Sequence, residues 1–315
     1  MNASPSKFSI AAVIIFGIFA VSTSSIFIRY AQSDNVNSML ISTARLVIAS
    51  LALLPVVIYR YRDDLRKLPK SGWLLALASG IFLALHFFSW ITSLEYTTIT
   101  SSVVLVTTTP LWVALLSPFL LREKGTTWLV LGMVVALAGG IVIGVSDLCY
   151  WENGLTCPIG ADFWADNSLF GNFLALVGAW MAAGYIMIGR QLRSSLPLIP
   201  YIFLVYGLAA IFSTCVVLFL GLKIIGYANI TYIWLILLGL VPQLFGHSSF
   251  NWALKYVKAS MVSIMLLGEP IGSSILGFIV FRETPTLLTV VGGILILGGI
   301  LVATYQPPSS DQQKQ

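Results

Sequence analysis

Ionisable side chains are scarce in this chain, and two of them interrupt long apolar runs. Glu269 lies about ten residues into the run 259–281 and Arg45 about nine residues into the run 36–59. With a rise of ~1.5 Å per residue, both fall near the middle of a layer ~30 Å thick if those runs cross a membrane. A charge at that depth costs roughly 2.5–3.5 kcal/mol on insertion scales, so such residues persist where they face water, a solute or a partner. Glu269 can hold a solute ammonium or a coupling proton, or it can be the structural partner of a buried arginine or hydroxyl. Pro270 has no N–H, which is expected to leave the Leu266 carbonyl without its helical donor and to make a polar notch beside the carboxylate. Arg45 reads as one member of an ion pair, as a carbonyl clamp, or as the ligand of a solute carboxylate. Glu269 is a partner for it by depth alone.

Other polar groups recur at helical spacing. Gln243, His247 and Asn251 stand at i, i+4 and i+8, which puts them on one stripe of a continuous α-helix. Such a stripe serves a wet cavity or interhelical hydrogen bonds. His247 is also a candidate proton carrier, since imidazole titrates near neutrality. His86 and Trp90 share a face four residues apart, as a solute-facing pair or as ordinary packing. Thr107, Thr108 and Thr109 precede Pro110, where their hydroxyls can bond backbone carbonyls around a proline kink. Thr108 is the candidate solute contact among them. Trp180 and Tyr185 are cavity aromatics or core. Nothing in the chain reads as a metal cluster, a phosphate-binding loop or paired catalytic groups, so an enzyme, a cofactor and ATP-driven transport by this chain alone are not expected.

The elements that position these residues follow from composition. Of the 315 residues 58% are hydrophobic and 9% charged, with a mean hydropathy of +0.93. A soluble domain carries about 25% charged residues, so this chain cannot cover a water-facing surface. Ten apolar runs are long enough to cross a bilayer, at approximately 8–31, 36–59, 72–94, 99–121, 127–146, 168–190, 198–221, 230–252, 259–281 and 286–304. With the N-terminus inside, 13 of the 17 Lys and Arg fall on the inner side and three on the outer, with Arg45 inside a span. Both termini are therefore expected in the cytosol. The net charge of +5 is thus explained by topology rather than by a nucleic-acid partner. The longest connection, from Asp147 to Asn167, falls outside and holds Cys149 and Cys157, which can close a disulfide there or remain thiols.

The chain also repeats itself. One ungapped shift places Leu94 on Leu254, Tyr96 on Tyr256, Pro110 on Pro270, Arg122 on Arg282, Glu123 on Glu283, Gly132 on Gly292 and Gly139 on Gly299. A nearly equal shift places Gly17 and Arg29 on Gly178 and Arg190. Five spans per copy is an odd number, so the second copy must be inserted upside down. The expected fold is an all-α polytopic membrane protein, with ten transmembrane helices as two inverted five-helix repeats and the solute site between them.

These residues resemble the drug/metabolite transporter superfamily, and within it the ten-helix EamA-type proteins. The likeness rests on the proline-containing fourth and ninth spans, each ending in Arg-Glu, on the glycine-rich spans that follow, and on the segment from Gly246 to Pro270. It covers nearly the whole chain. It implies a first repeat over 1–147, an outer loop over 148–167 that is longer than the family's usual connection, a second repeat over 168–306, and a disordered cytosolic tail over 307–315. It further implies a central cavity lined by the first, third, fourth, sixth, eighth and ninth spans. The expected activity is secondary transport of a small amino-acid-like or amine-bearing metabolite, with export the favoured direction and protons as the candidate coupling ion. Pro110 and Pro270 are the expected flexures of the moving spans. The expected setting is the inner membrane, as a monomer or homodimer in the lipid bilayer. A facilitator or exchanger of a larger polar metabolite such as a nucleotide sugar, and a receptor or assembly subunit without transport, are the competing readings.

Overall fold

The computed structural model describes residues 5–120, 127–148, 150–151, 155–156, 167–257, 259, 262 and 265–304. Seven helical segments among them are long and apolar enough to cross a membrane: Phe8–Ser33, Ser38–Arg60, Lys70–Tyr96, Ile99–Leu116, Asn167–Ser195, Leu198–Phe219 and Asn229–Ala253. Three shorter apolar helices, Val130–Ile143, Gly268–Phe281 and Leu287–Val302, fall in the fifth, ninth and tenth runs. The protein is therefore an all-α polytopic membrane protein. Its outward surface carries large apolar side chains such as Phe19, Leu51, Ile58, Leu137 and Ile294, as lipid contact allows. Helices serve here because each satisfies its own backbone hydrogen bonds where water is absent. In the connection after the fifth span, Tyr150–Trp151 and Leu155–Thr156 pair as two short antiparallel strands. Cys149, Cys157, Arg122, Glu123 and the tail from 307 lie outside the described residues.

The helices pack so that contacts recur when the two halves are exchanged. Gly17 of the first span lies against the Gly246 carbonyl and Phe250 of the eighth. Gly178 of the sixth lies in the same way against the His86 carbonyl and Trp90 of the third. A methyl placed on Gly139 would sit 2.6 Å from the Gly292 carbonyl oxygen, and one on Gly299 would sit 2.6 Å from that of Gly132. The four positions are pairs under the same 160-residue shift. The fifth and tenth spans thus meet backbone to backbone, an approach that only glycine permits. This glycine seam is used inside the chain.

Three spans depart from continuous α-helix. The fourth divides into Ile99–Val106 and Thr109–Leu120. The ninth has a turn at Leu266 and Leu267 before Gly268–Phe281. The eighth contains the π-helix Gly239–His247, with Pro242 inside it. The prolines were expected to kink continuous helices; instead Pro110 and Pro270 stand in the first turn of a new one. A missing N–H costs nothing there, because the first N–H groups of a helix have no partner within it. The expected orphan carbonyl of Leu266 is also corrected, since the Glu269 N–H donates to it at 2.9 Å. Cys215, in the helix Leu198–Phe219, is exposed on the outward surface.

Candidate functional site

The two broken helices meet at the centre of the molecule. In the fourth span the three threonines at the break turn their hydroxyls back onto carbonyls of Ile99–Val106. Thr107 Oγ1 donates to Val103 O at 2.8 Å, Thr108 Oγ1 to Leu105 O at 2.8 Å and Thr109 Oγ1 to Val106 O at 2.9 Å. In the ninth span the position equivalent to Thr109 is Glu269, in the first turn of Gly268–Phe281. Its carboxylate therefore sits at the positive end of a helix, where a negative charge is favoured.

Both breaks open onto one largely enclosed cavity of about 50 Å³, lined by His86, Thr107, Thr109, Tyr185, His247, Asn251 and Glu269 together with apolar side chains of the same spans. That volume accommodates about three waters. The third, fourth, sixth, eighth and ninth spans supply this lining, and no lining residue comes from the first. His86 is fixed by a 2.8 Å hydrogen bond between Nδ1 and the Gly178 carbonyl. If Nδ1 carries the proton, as a carbonyl partner requires, Nε2 is the ring nitrogen left for other partners. His247 stands edge-on to Phe87, with ring centroids 5.3 Å apart. Tyr185 donates to Asn251 Oδ1 at 2.8 Å, and Asn251 Nδ2 donates to Tyr206 Oη at 3.0 Å. The Asn251 amide is thus occupied at both ends and holds the tyrosine in place.

The other expected site residues lie around the cavity rather than on it. Gln243, in the π-helix Gly239–His247, does not line the cavity with His247 and Asn251. It is fully buried and accepts from Arg45 Nε at 3.0 Å. Arg45, also fully buried, has Nη1 3.3 Å from Ser24 Oγ and its guanidinium 3.8 Å from the centre of the Phe87 ring. Arg45 and Glu269 act on each other electrostatically. Among the described residues, however, only Arg29–Glu283 and Arg66–Asp63 form ion pairs within 4.0 Å. Glu269 therefore faces the cavity without a cation in contact. Trp90 stacks on His86 with centroids 6.1 Å apart, and Thr108 also accepts from Trp112 Nε1 at 3.2 Å.

Tyr206 and Arg193 were missed from sequence. Arg193, counted as a loop cation, is buried and donates from Nε to the Asn251 carbonyl at 3.1 Å. Its position at the end of a run, next to Gln191 and Ser194, looks like any interfacial arginine. Tyr206 carries the only kind of signal available, a hydroxyl in the middle of a run of apolar residues.

Fold and site define a class: a multi-pass helical membrane protein whose two similar halves enclose, at a pair of helix breaks, a mostly apolar cavity into which a few polar side chains are set. The model of the EamA-like transporter family matches the chain twice, over residues 8–145 and 169–305. The chain belongs to the EamA-like transporter family. An Archaeoglobus fulgidus protein named an uncharacterized transporter is 26% identical over 292 residues, covering 93% of this chain and 95% of that protein. Mouse solute carrier family 35 member G1 is 24% identical over 295 residues, covering 93% of this chain and 77% of the carrier. A solved crystal structure matches with a TM-score of 0.64 at 19% identity, over 95% of this chain and 97% of the other, a likeness of fold. The family and the two named relatives are transporters by name and not enzymes.

Proposed function

We propose that the protein is a secondary active transporter that exports small amine-bearing or amino-acid-like metabolites by alternating access. The observation that carries this reading is Glu269, an acid at a half-helix N-terminus that lines the central cavity with no Lys or Arg among the described residues within 4.0 Å of it. A solute ammonium can complete that charge, and so can a coupling proton. The cavity as it stands is too small for most metabolites, which fits a closed conformation whose walls part to admit solute. Contacts that recur on exchange of the halves support an inverted repeat. The two arrangements of such a repeat open the same site to opposite sides. His86, His247, Tyr185 and Asn251 would shape the site, with Arg45, Gln243, Trp90 and Thr108 behind it. The distribution of Lys and Arg supports an inner-membrane protein with both termini in the cytosol. Among the described residues no Lys or Arg lines the cavity, which speaks against a nucleotide sugar, whose charges would require several cations.

Comparing the metabolites released by cells with and without the gene identifies the solute. Counterflow of that solute into proteoliposomes then tests transport directly, and its rate with and without a pH gradient tests coupling. Protein that supports no counterflow of any metabolite distinguishing the two cell lines would refute the reading, and equal rates in both gradients would remove the proton.

A further inference from the structure

A carrier needs a barrier on each side of its cavity, and one such barrier is visible between the central site and an open vestibule. The vestibule, about 490 Å³, is lined by Arg29, Thr97, Thr98, Glu283 and Thr286 among others. Arg29 Nη2 donates to the Thr97 carbonyl at 2.7 Å and lies 3.8 Å from Glu283 Oε1. The same oxygen of Glu283 accepts the backbone N–H of Ile99 at 3.0 Å. Ile99 is the first residue of Ile99–Val106, so the carboxylate also caps that helix at its positive end. One acid from the second half thus ties down two elements of the first.

The local backbone aims Glu283 at this position. Gly268–Phe281 ends at Arg282, whose φ of 59° is left-handed. The Arg282 N–H bonds Phe278 O at 3.0 Å and the Glu283 N–H reaches Gly277 O at 3.4 Å, a close resembling the Schellman type that turns the chain sharply. An arginine there is conformationally strained, since left-handed backbone disfavours a residue with a Cβ.

Both tied helices run on to the central cavity. Ile99–Val106, about 12 Å long, ends at Val106, and Gly268–Phe281 begins beside Glu269, both lining residues. Each is a short rod with one end in the solute site and the other in the clasp. The arginine half of the device recurs on the other repeat, where Arg190 Nη1 donates to the Val257 carbonyl at 2.7 Å. Those positions are Arg29 and Thr97 carried along by the repeat shift.

We infer that Arg29, Glu283 and the Ile99 N–H form a gate latch that shuts the vestibule from the cavity, and that occupancy at Glu269 reaches the latch along Gly268–Phe281. The inference rests on the carrier reading, and its test reads access rather than transport. Cys149, Cys157 and Cys215 are replaced by serine, a reporter cysteine is placed at Ala182 on the cavity wall, and the protein is held in lipid nanodiscs. The rate of reaction with a charged methanethiosulfonate is measured. Glu283→Gln and Arg29→Gln should each raise that rate about tenfold. A second reporter at Ala49, fully buried away from the cavity, should stay slow in both. Unchanged rates at Ala182 overturn the latch. Acceleration at both reporters also overturns it, because the pair would then be holding the fold together rather than closing an entrance. If the latch fails while solute counterflow persists, the transporter reading stands without it.

Discussion

Glu269→Gln isolates the charge that the proposed site depends on. Glutamine has nearly the same size and keeps a carbonyl toward the cavity, so packing should change little. What is lost is a charge-assisted contact to a solute ammonium. At 4 Å and an effective dielectric of about 20, the Coulomb attraction is ~4 kcal/mol. Stripping water from both groups takes back part of it, and hydrogen bonds to charged groups net ~1.5–3 kcal/mol. At 1.4 kcal/mol per factor of ten, apparent affinity should fall about tenfold to a hundredfold. The largely enclosed cavity around Glu269, with no cation among the described residues within 4 Å, places this prediction on the structure rather than on composition. Counterflow in proteoliposomes at several solute concentrations gives the apparent KM. Glu269→Asp, which keeps the charge but withdraws it by one methylene, should fall between the two. An apparent KM for Glu269→Gln within twofold of the unaltered protein, with any pH-gradient response intact, would refute the reasoning.

Gly139→Val should destabilise the protein by about 1–3 kcal/mol through overpacking against the Gly292 carbonyl, read as a lower thermal midpoint in detergent. Gly293→Ala on the facing helix serves as its control, because the nearest atom to a methyl there is 3.9 Å away and the midpoint should hold. Arg45→Lys should cost about 2 kcal/mol or more, since an ammonium cannot reproduce the flat stack on Phe87 together with the bonds to Gln243 and Ser24; an unchanged thermal midpoint would show that those contacts contribute nothing. If Cys149 and Cys157 are bridged, thiol titration of denatured protein should count one reactive cysteine without reductant and three with it.

Much of the architecture could be read before any coordinates. The bilayer admits few solutions, so a run such as 198–221 becomes the helix Leu198–Phe219 with ends displaced by two residues at most. The 160-residue repeat picked out the glycines of the fifth and tenth spans as equivalent positions, but not that they would touch across the halves. Glu269 was legible as a site because an acid in an apolar run needs a reason to be there. The same logic singled out Arg45 but could not name its partners, since depth along a helix says nothing about azimuth.

Sequence by itself determined where the apolar runs lie and their approximate limits, their pairing into two like halves and the short list of polar residues at mid-depth. Each of these depends only on hydrophobicity and spacing along one chain. Tertiary structure decided that the proline spans break rather than bend, that Gln243 meets Arg45 rather than the cavity, and that Glu269 is left facing the cavity. Those outcomes depend on which neighbouring helix supplies a hydrogen-bond partner across 3 Å, and that is settled only when the helices pack.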